Sequence, residues 1–326
     1  LKCTDGINIA IAGIKYDGSN LGTILNKIIA GEVAKLTTAT SEDAISTIVV
    51  PGKLSDDHNG IYTTDVSVYI PSWFSIHATF GCVFQSTLAT FGFKVANDYY
   101  TSITEAYSIQ WRKGKVFSCG GGGRITLQGD LTTGGIGLVV GNDRSSSTIM
   151  DVAGVGFEAL NIIKFDTNLQ LRMKDTYIVD FGSMRLDQGN VNLLIGLSNT
   201  NSGENMIIRN AILSDCNSAQ IVFNSGGIFM TFDNASIDYT YGDVIQIKAS
   251  DRNNILFVNS HIEGWIGSLV ISTAATPTQE KAKIAFQRSR VVGAARGDGV
   301  TYIATYASRR PMGKGNSNLA LVVSFG

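Results

Sequence analysis

The 326-residue sequence is short of charge. Asp, Glu, Lys and Arg make up 16% of it, against about 25% in an average soluble domain. Its 26 basic and 27 acidic residues leave a net charge of −1, so no overall field draws the chain to nucleic acid or to an acidic surface. Disorder is excluded, because 44% of residues are hydrophobic and the charges cancel. No apolar run approaches the ~18–20 residues of a membrane span, so no membrane insertion is expected. Proline is nearly absent, 4 residues against 36 glycines, which excludes a collagen-like chain. The four cysteines, Cys3, Cys82, Cys119 and Cys216, form no CxxC pair and have no histidine at ligand spacing. Buried free thiols are expected, with no disulfide framework and no metal site. The start, Leu1-Lys2-Cys3, lacks Met and a signal-peptide pattern and reads as a trimmed or processed end.

What is present is mostly strand. One helix stands out, with Leu21, Ile24, Leu25, Ile28 and Ile29 on one face and Gly31 behind them. Beyond it run short β-branched stretches such as Ile48-Val49-Val50 and Val66-Ser67-Val68-Tyr69-Ile70, with Pro51 and Pro71 placed where strands end. The late residues Arg288, Arg290, Arg296, Arg309, Arg310 and Lys314 read as a solvated basic face.

A repeat carries most of the information. With Leu213, Ile237, Ile262 and Val291 as position zero, position −5 holds Ile208, Phe232, Phe257 and Phe286, and position −2 holds Ala211, Ala235, Ser260 and Ser289. Position −3 holds Asn210, Asn234 and Asn259, with Arg288 breaking the series. The spacings between these zeros are 24, 25 and 29 residues. Fainter copies stand around Ile178 (Met173, Asp175, Thr176) and Val155 (Met150, Ala153). A second apolar run follows each of the first three zeros: Ile221–Phe223, Val244–Ile247 and Leu269–Ile271. Several short strands in a period of about 25 residues predict a β-solenoid, whose coils stack like residues on like. Positions −2 and zero point inward by strand alternation. Position −5 joins them only if the chain bends at −3, where Asn tolerates the left-handed conformation. The fold class is therefore all-β. The simplest partition is an N-terminal cap over 1–45 with a helix over 21–31, then a solenoid over 46–326 with its clearest coils over 150–295. Its last part is a terminal cap or a cut end.

The N-terminal third adds a second signal. Tyr16-Asp17-Gly18-Ser19-Asn20 precedes the helix, and Ser46-Thr47-Ile48-Val49-Val50-Pro51-Gly52, Ile61–Thr64, Val68–Pro71 and Ile76–Gly81 follow it. This order resembles the start of pectate-lyase-like right-handed parallel β-helices, and among them bacteriophage tailspikes. The resemblance implies a right-handed single-stranded parallel β-helix with a short N-terminal capping helix. It also implies a phage-tail protein acting outside the cell on a bacterial capsular polysaccharide or lipopolysaccharide O-antigen, as a homotrimer, with no cofactor. The polygalacturonase signatures Asn-Thr-Asp, Asp-Asp, Gly-His-Gly and Arg-Ile-Lys are missing, so no catalytic residues carry over from that family.

Chemistry must then be sought in the repeat itself. Glycoside hydrolysis needs two carboxyl groups at one bond, and adjacent coils lie ~4.8 Å apart. Position +1, expected to face solvent, holds Ser214, Asp238, Glu263 and Val292; position +2 holds Asp180, Asp215, Tyr239 and Gly264. Asp215, Asp238 and Glu263 thus form an acidic ridge, and like charges at that spacing raise one pKa, as a general acid requires. They are the expected catalytic residues. Around them His261, Arg290, Tyr239, Tyr241, Trp265, Asp243 and Asp180 are the candidates for substrate binding, the aromatic ones by stacking on sugar rings. A lyase on the same scaffold would use His261 or Tyr239 as base and Arg290 to neutralise a uronate. A glycan-binding adhesin is the non-enzymatic alternative. Gly120–Gly123 lacks the Lys-Ser/Thr of a phosphate loop and reads as a turn. Asp143, Asp151 and Asp187 make no EF-hand-type loop.

Overall fold

The computed structural model describes residues 7–9, 12–36, 46–52, 59–100, 114–143, 149, 151–172, 176–196, 203–248, 253–272, 282–292 and 321–325. Three parallel sheets of 11, 9 and 8 strands, here sheets 1, 2 and 3, run the length of the chain. Successive strands visit sheets 1, 2 and 3 in turn, so each circuit is one coil and each strand pairs with its counterparts in the adjoining coils. The expected all-β parallel solenoid is what the chain forms.

The repeat columns fall into register. Leu213 pairs with Ile237, Ile237 with Ile262 and Ile262 with Val291, all on sheet 2. Phe232, Phe257 and Phe286 stack on sheet 1 with ring centroids 4.6 and 4.9 Å apart. Position −3 is the corner between those sheets: φ is 51° at Asn210, 53° at Asn234 and 50° at Asn259. Arg288 keeps the corner at φ 49° although it breaks the residue series.

The two fainter copies need correction. Leu186, not Ile178, pairs with Leu213, and Ile162 pairs with Leu186. Their corners are Ser183 and Ala159, and Phe181 and Phe157 supply the inward ring at −5. Ile178 is instead an exposed left-handed residue on sheet 1. Met150, Met173 and Asp175 lie outside the described residues.

A second corner, between sheets 2 and 3, is turned at Lys164, Gln188, Asp215, Tyr239 and Gly264, all with positive φ. Each sits at position +2 of its coil. The bend restarts the alternation, so the residues after it at Cys216, Thr240 and Trp265 point inward and are buried.

The N-terminal helix spans Leu21–Leu36 and runs past Gly31. Val33 prolongs the buried stripe of Leu21, Leu25 and Ile29 by the same four-residue step. It packs on Ile61–Thr63 and Val68–Ile70, and Asp65 holds its first turn by accepting from the Thr23 backbone N–H at 2.9 Å. Cys82 and Cys216 are buried free thiols, Cys119 is a half-buried one, and Cys3 lies outside the described residues. Among the described residues no helix is long and apolar enough to cross a membrane.

Candidate active site

Sheet 2 builds the site. Its strands Arg185–Asp187, Ile212–Cys216, Ser236–Thr240, His261–Trp265 and Arg290–Val292 align Asp187, Ser214, Asp238, Glu263 and Val292 in one column, at position +1. The column does not simply face solvent, as alternation led us to expect. Asp187 and Ser214 are only 4% and 5% exposed, and they close on each other: Ser214 Oγ donates to Asp187 Oδ1 at 2.9 Å, and Arg185 pairs with Asp187 at 2.8 Å. In the next two coils the column is less deeply buried, and Asp238 and Glu263 lie in a half-buried recess.

Position −1 runs alongside, with Ser236, His261 and Arg290 in register. Ser236 Oγ donates to Asp238 Oδ2 at 2.7 Å, and His261 Nε2 lies 3.0 Å from Glu263 Oε2. Asp238 Oδ1 is buried and has no hydrogen-bond partner among the described residues. Burial pushes the Asp238 carboxyl above its ordinary value of 3.8, and the negative charges of Glu263 and Asp215 push the same way. The Ser236 hydrogen bond and His261 oppose this, and the net direction is upward. The site therefore pairs a carboxyl whose affinity for its proton is raised with a neighbour set against an imidazole.

The other expected residues divide. Asp215 occupies the +2 corner and is offset by one position from the Asp238 column; it acts on Asp238 through space. Tyr239 and Tyr241 are exposed, and the Tyr239 ring lies over Gly264, where an added Cβ would stand 3.3 Å from its Cδ1. Arg290 is exposed beside His261. Trp265 does not join them: it is 9% exposed and packs in the core, because the corner before it turns its side chain inward. Asp243 is committed to a turn, accepting from Ser268 N–H at 2.7 Å and Gln246 Nε2 at 2.9 Å. Asp180 lies on sheet 1, opposite Ile207, and forms an ion pair with Arg209.

A groove of about 360 Å³ adjoins the recess, lined by the corner asparagines Asn210, Asn234 and Asn259 with Ile212, Ser236 and His261. No protein-family model matches the chain. Among solved structures it is similar to the enzymatically active domain of bacteriophage CBA120 tailspike protein 4, with a TM-score of 0.62 and 17% identity over 90% of this chain. The two share a parallel β-helix fold. The chain spans 37% of the length of that tailspike domain. Geobacillus virus E2 ORF18 (TM-score 0.49, 10% identity, 89% of this chain and 60% of that one) and the Dettilon tailspike protein (0.46, 11%, 86% and 55%) are also similar. At such identities the likeness is one of fold, and the site stands on its own geometry.

Two groups at the site went unnoticed in the sequence. Ser236 looks like any outward serine until its strand partner is known. Buried beneath the corner, Asn168, Asn192 and Gln220 form an amide ladder, with bonds of 2.6 Å from Asn168 to Asn192 and 2.6 Å from Asn192 to Gln220. Their remaining N–H groups cap the carbonyls of Asp187, Ser214 and Asp238 at 3.0, 2.9 and 3.0 Å. Gln220 thus holds the Asp238 backbone. Three amides at spacings of 24 and 28 residues were the available signal. One ligand atom each from Asp238, His261 and Glu263 lies within 4.8 Å of the others. Two carboxylates and an imidazole are a donor set that a divalent cation accepts.

Proposed function

We propose that the chain depolymerises a bacterial surface polysaccharide, capsule or O-antigen, by glycoside hydrolysis at Asp238 and Glu263. It does so as part of a homotrimeric phage tailspike acting outside the cell. The observation that carries this reading is the carboxylate pair itself: two acids on adjacent coils, oxygen atoms within 4.8 Å, with Asp238 held toward its protonated form. Oxygen atoms within 4.8 Å fall short of the roughly 6.5–9.5 Å that leaves room for an inverting water, which favours the closer arrangement of retaining glycosidases. Asp238 donates its proton to the glycosidic oxygen while Glu263 attacks the anomeric carbon and forms a glycosyl ester. Asp238, now ionised, takes a proton from water, which opens the ester and restores Glu263. Tyr239 and Tyr241 offer exposed rings to neighbouring sugars. The likeness to a tailspike's enzymatically active domain supports an enzyme at a phage tail.

A lyase is the second reading, favoured by the pairing of His261 with Arg290 across the coils, a base beside a cation that neutralises a uronate. Incubation with a panel of bacterial surface polysaccharides, followed by mass analysis, separates the readings. Hydrolysis adds one water to each fragment, whereas elimination leaves an ultraviolet-absorbing uronate end. Polysaccharide bound but never shortened overturns both in favour of an adhesin.

A further inference from the structure

We infer that the groove along Asn210, Asn234 and Asn259 is a glycan subsite selecting an acidic polysaccharide: an uncharged sugar lies over the three amides, and an anionic substituent one step further along reaches Arg288 and Arg290. This rests on the proposed active site and names its substrate class.

The amides are not consumed by the solenoid. Coil-to-coil bonding accounts for Asn234 Nδ2 to Asn210 Oδ1 at 2.8 Å and a long contact of 3.4 Å from Asn259 Nδ2 to Asp233. The Asn210 side-chain N–H groups and the Oδ1 atoms of Asn234 and Asn259 have no partner among the described residues. All three side chains are exposed, because a left-handed corner residue projects outward. A volume of about 360 Å³ lies within the range of ligand pockets.

The lining contains no Asp, Glu, Lys or Arg, and Ile212 presents an apolar face that is 41% exposed. Amides beside an apolar wall match the two faces of a sugar, hydroxyl edge and C–H face. The groove also opens on the reacting pair. Ser236, which bonds Asp238, and His261, which meets Glu263, line both.

Along the columns that line the groove, charge appears only at the next coil. Arg288 continues the asparagine column with the same backbone conformation, and Arg290 continues the Ser236–His261 column, each about 4.8 Å beyond. Both are exposed, and neither has an acidic partner among the described residues. These two cations at one end of an uncharged groove accept an anion there, while the Glu263 carboxylate repels one from the bond being cut. The asymmetry fixes the direction in which the polysaccharide lies.

Binding is measured with Glu263→Gln as the parent, against bacterial polysaccharides of known repeat: neutral ones, and acidic ones carrying uronate, pyruvyl or phosphate groups as separate arms. Asn210→Gly with Asn234→Gly removes the amides at positions where glycine keeps positive φ without strain. Arg288→Asn with Arg290→Gln removes the charge and restores the column's residue type. The parent is expected to bind at least one acidic arm more tightly than any neutral polysaccharide, with affinity falling as salt rises. The arginine variant should bind it about tenfold more weakly with a flattened salt dependence, and the asparagine variant about tenfold more weakly with the salt dependence kept. Acidic polysaccharides bound no better than neutral ones, or both variants binding as the parent does, overturn the subsite. If the wild type cleaves a polysaccharide with a KM that both groove variants leave unchanged, the subsite falls and hydrolysis stands. If binding follows the groove but the wild type shortens nothing, hydrolysis falls and the subsite stands.

Discussion

Replacing Gln220 by Leu tests whether the buried amide ladder positions the strand that carries the proposed catalytic Asp238. Gln220 is fully buried; its Oε1 accepts from Asn192 at 2.6 Å and its Nε2 donates to the Asp238 carbonyl at 3.0 Å. Leucine is of similar size but leaves one Asn192 N–H and the Asp238 carbonyl without these partners. Each buried group left unsatisfied costs about 1–3 kcal/mol, and leucine's greater apolar burial returns part of that, so a net loss of about 2–4 kcal/mol is expected. Guanidinium unfolding at constant m-value reads it. The control is Gln246→Leu on the next coil of sheet 3, where the amide bonds a part-exposed Asp243; its cost should stay below about 1 kcal/mol. With its carbonyl untethered, Asp238 shifts and kcat falls more than KM rises, since misplacement by about 1 Å costs up to a hundredfold. If Gln220→Leu unfolds at the wild-type midpoint, or Gln246→Leu is equally damaging, the ladder does not hold the site.

Other outcomes follow from the same geometry. Asp238 has a raised pKa when folded, so the native state binds this proton more tightly than the unfolded chain and loses stability as pH rises through the window above 3.8. Asp238→Asn should therefore be more stable than wild type at pH 7, with the difference vanishing below that window, as denaturant midpoints at pH 7 and pH 3 will show. Phe257→Ala removes a fully buried ring stacked between Phe232 and Phe286 and should cost about 3–5 kcal/mol in the same unfolding assay. At the Asn234 corner, with φ of 53°, Val should cost about 1–2 kcal/mol more than Gly, whereas equal melting would deny the left-handed corner. If Asp238 acts as the proposed proton donor, cleavage should persist in EDTA; loss of activity restored by a divalent ion would replace this chemistry with a metal centre at Asp238, His261 and Glu263.

The solenoid was legible where its coils have nearly equal lengths. Four zeros from Leu213 to Val291 fall into register because like residues stack at every coil. Counting further back failed at Ile178 because the preceding zero, Leu186, lies 27 residues before Leu213, whereas Ile178 lies 35 before it and on another sheet. The asparagine corner was readable from a residue type that favours positive φ. The second corner was not, since Lys164, Gln188, Asp215, Tyr239 and Gly264 share a conformation without a chemistry. That hidden corner is also why Trp265 was expected outside and lies inside. The acidic pair followed from strand alternation alone. Its depth did not, because burial of the column depends on what neighbouring coils place beside it, as Asp187, Ser214 and Arg185 show.

The most direct test compares kcat of the wild type, Asp238→Asn and Glu263→Gln on a polysaccharide that the wild type shortens. Losing the general acid or the nucleophile should lower kcat by about a hundredfold or more, with folding and polysaccharide binding retained. Both variants releasing fragments at the wild-type rate would contradict catalysis by this pair.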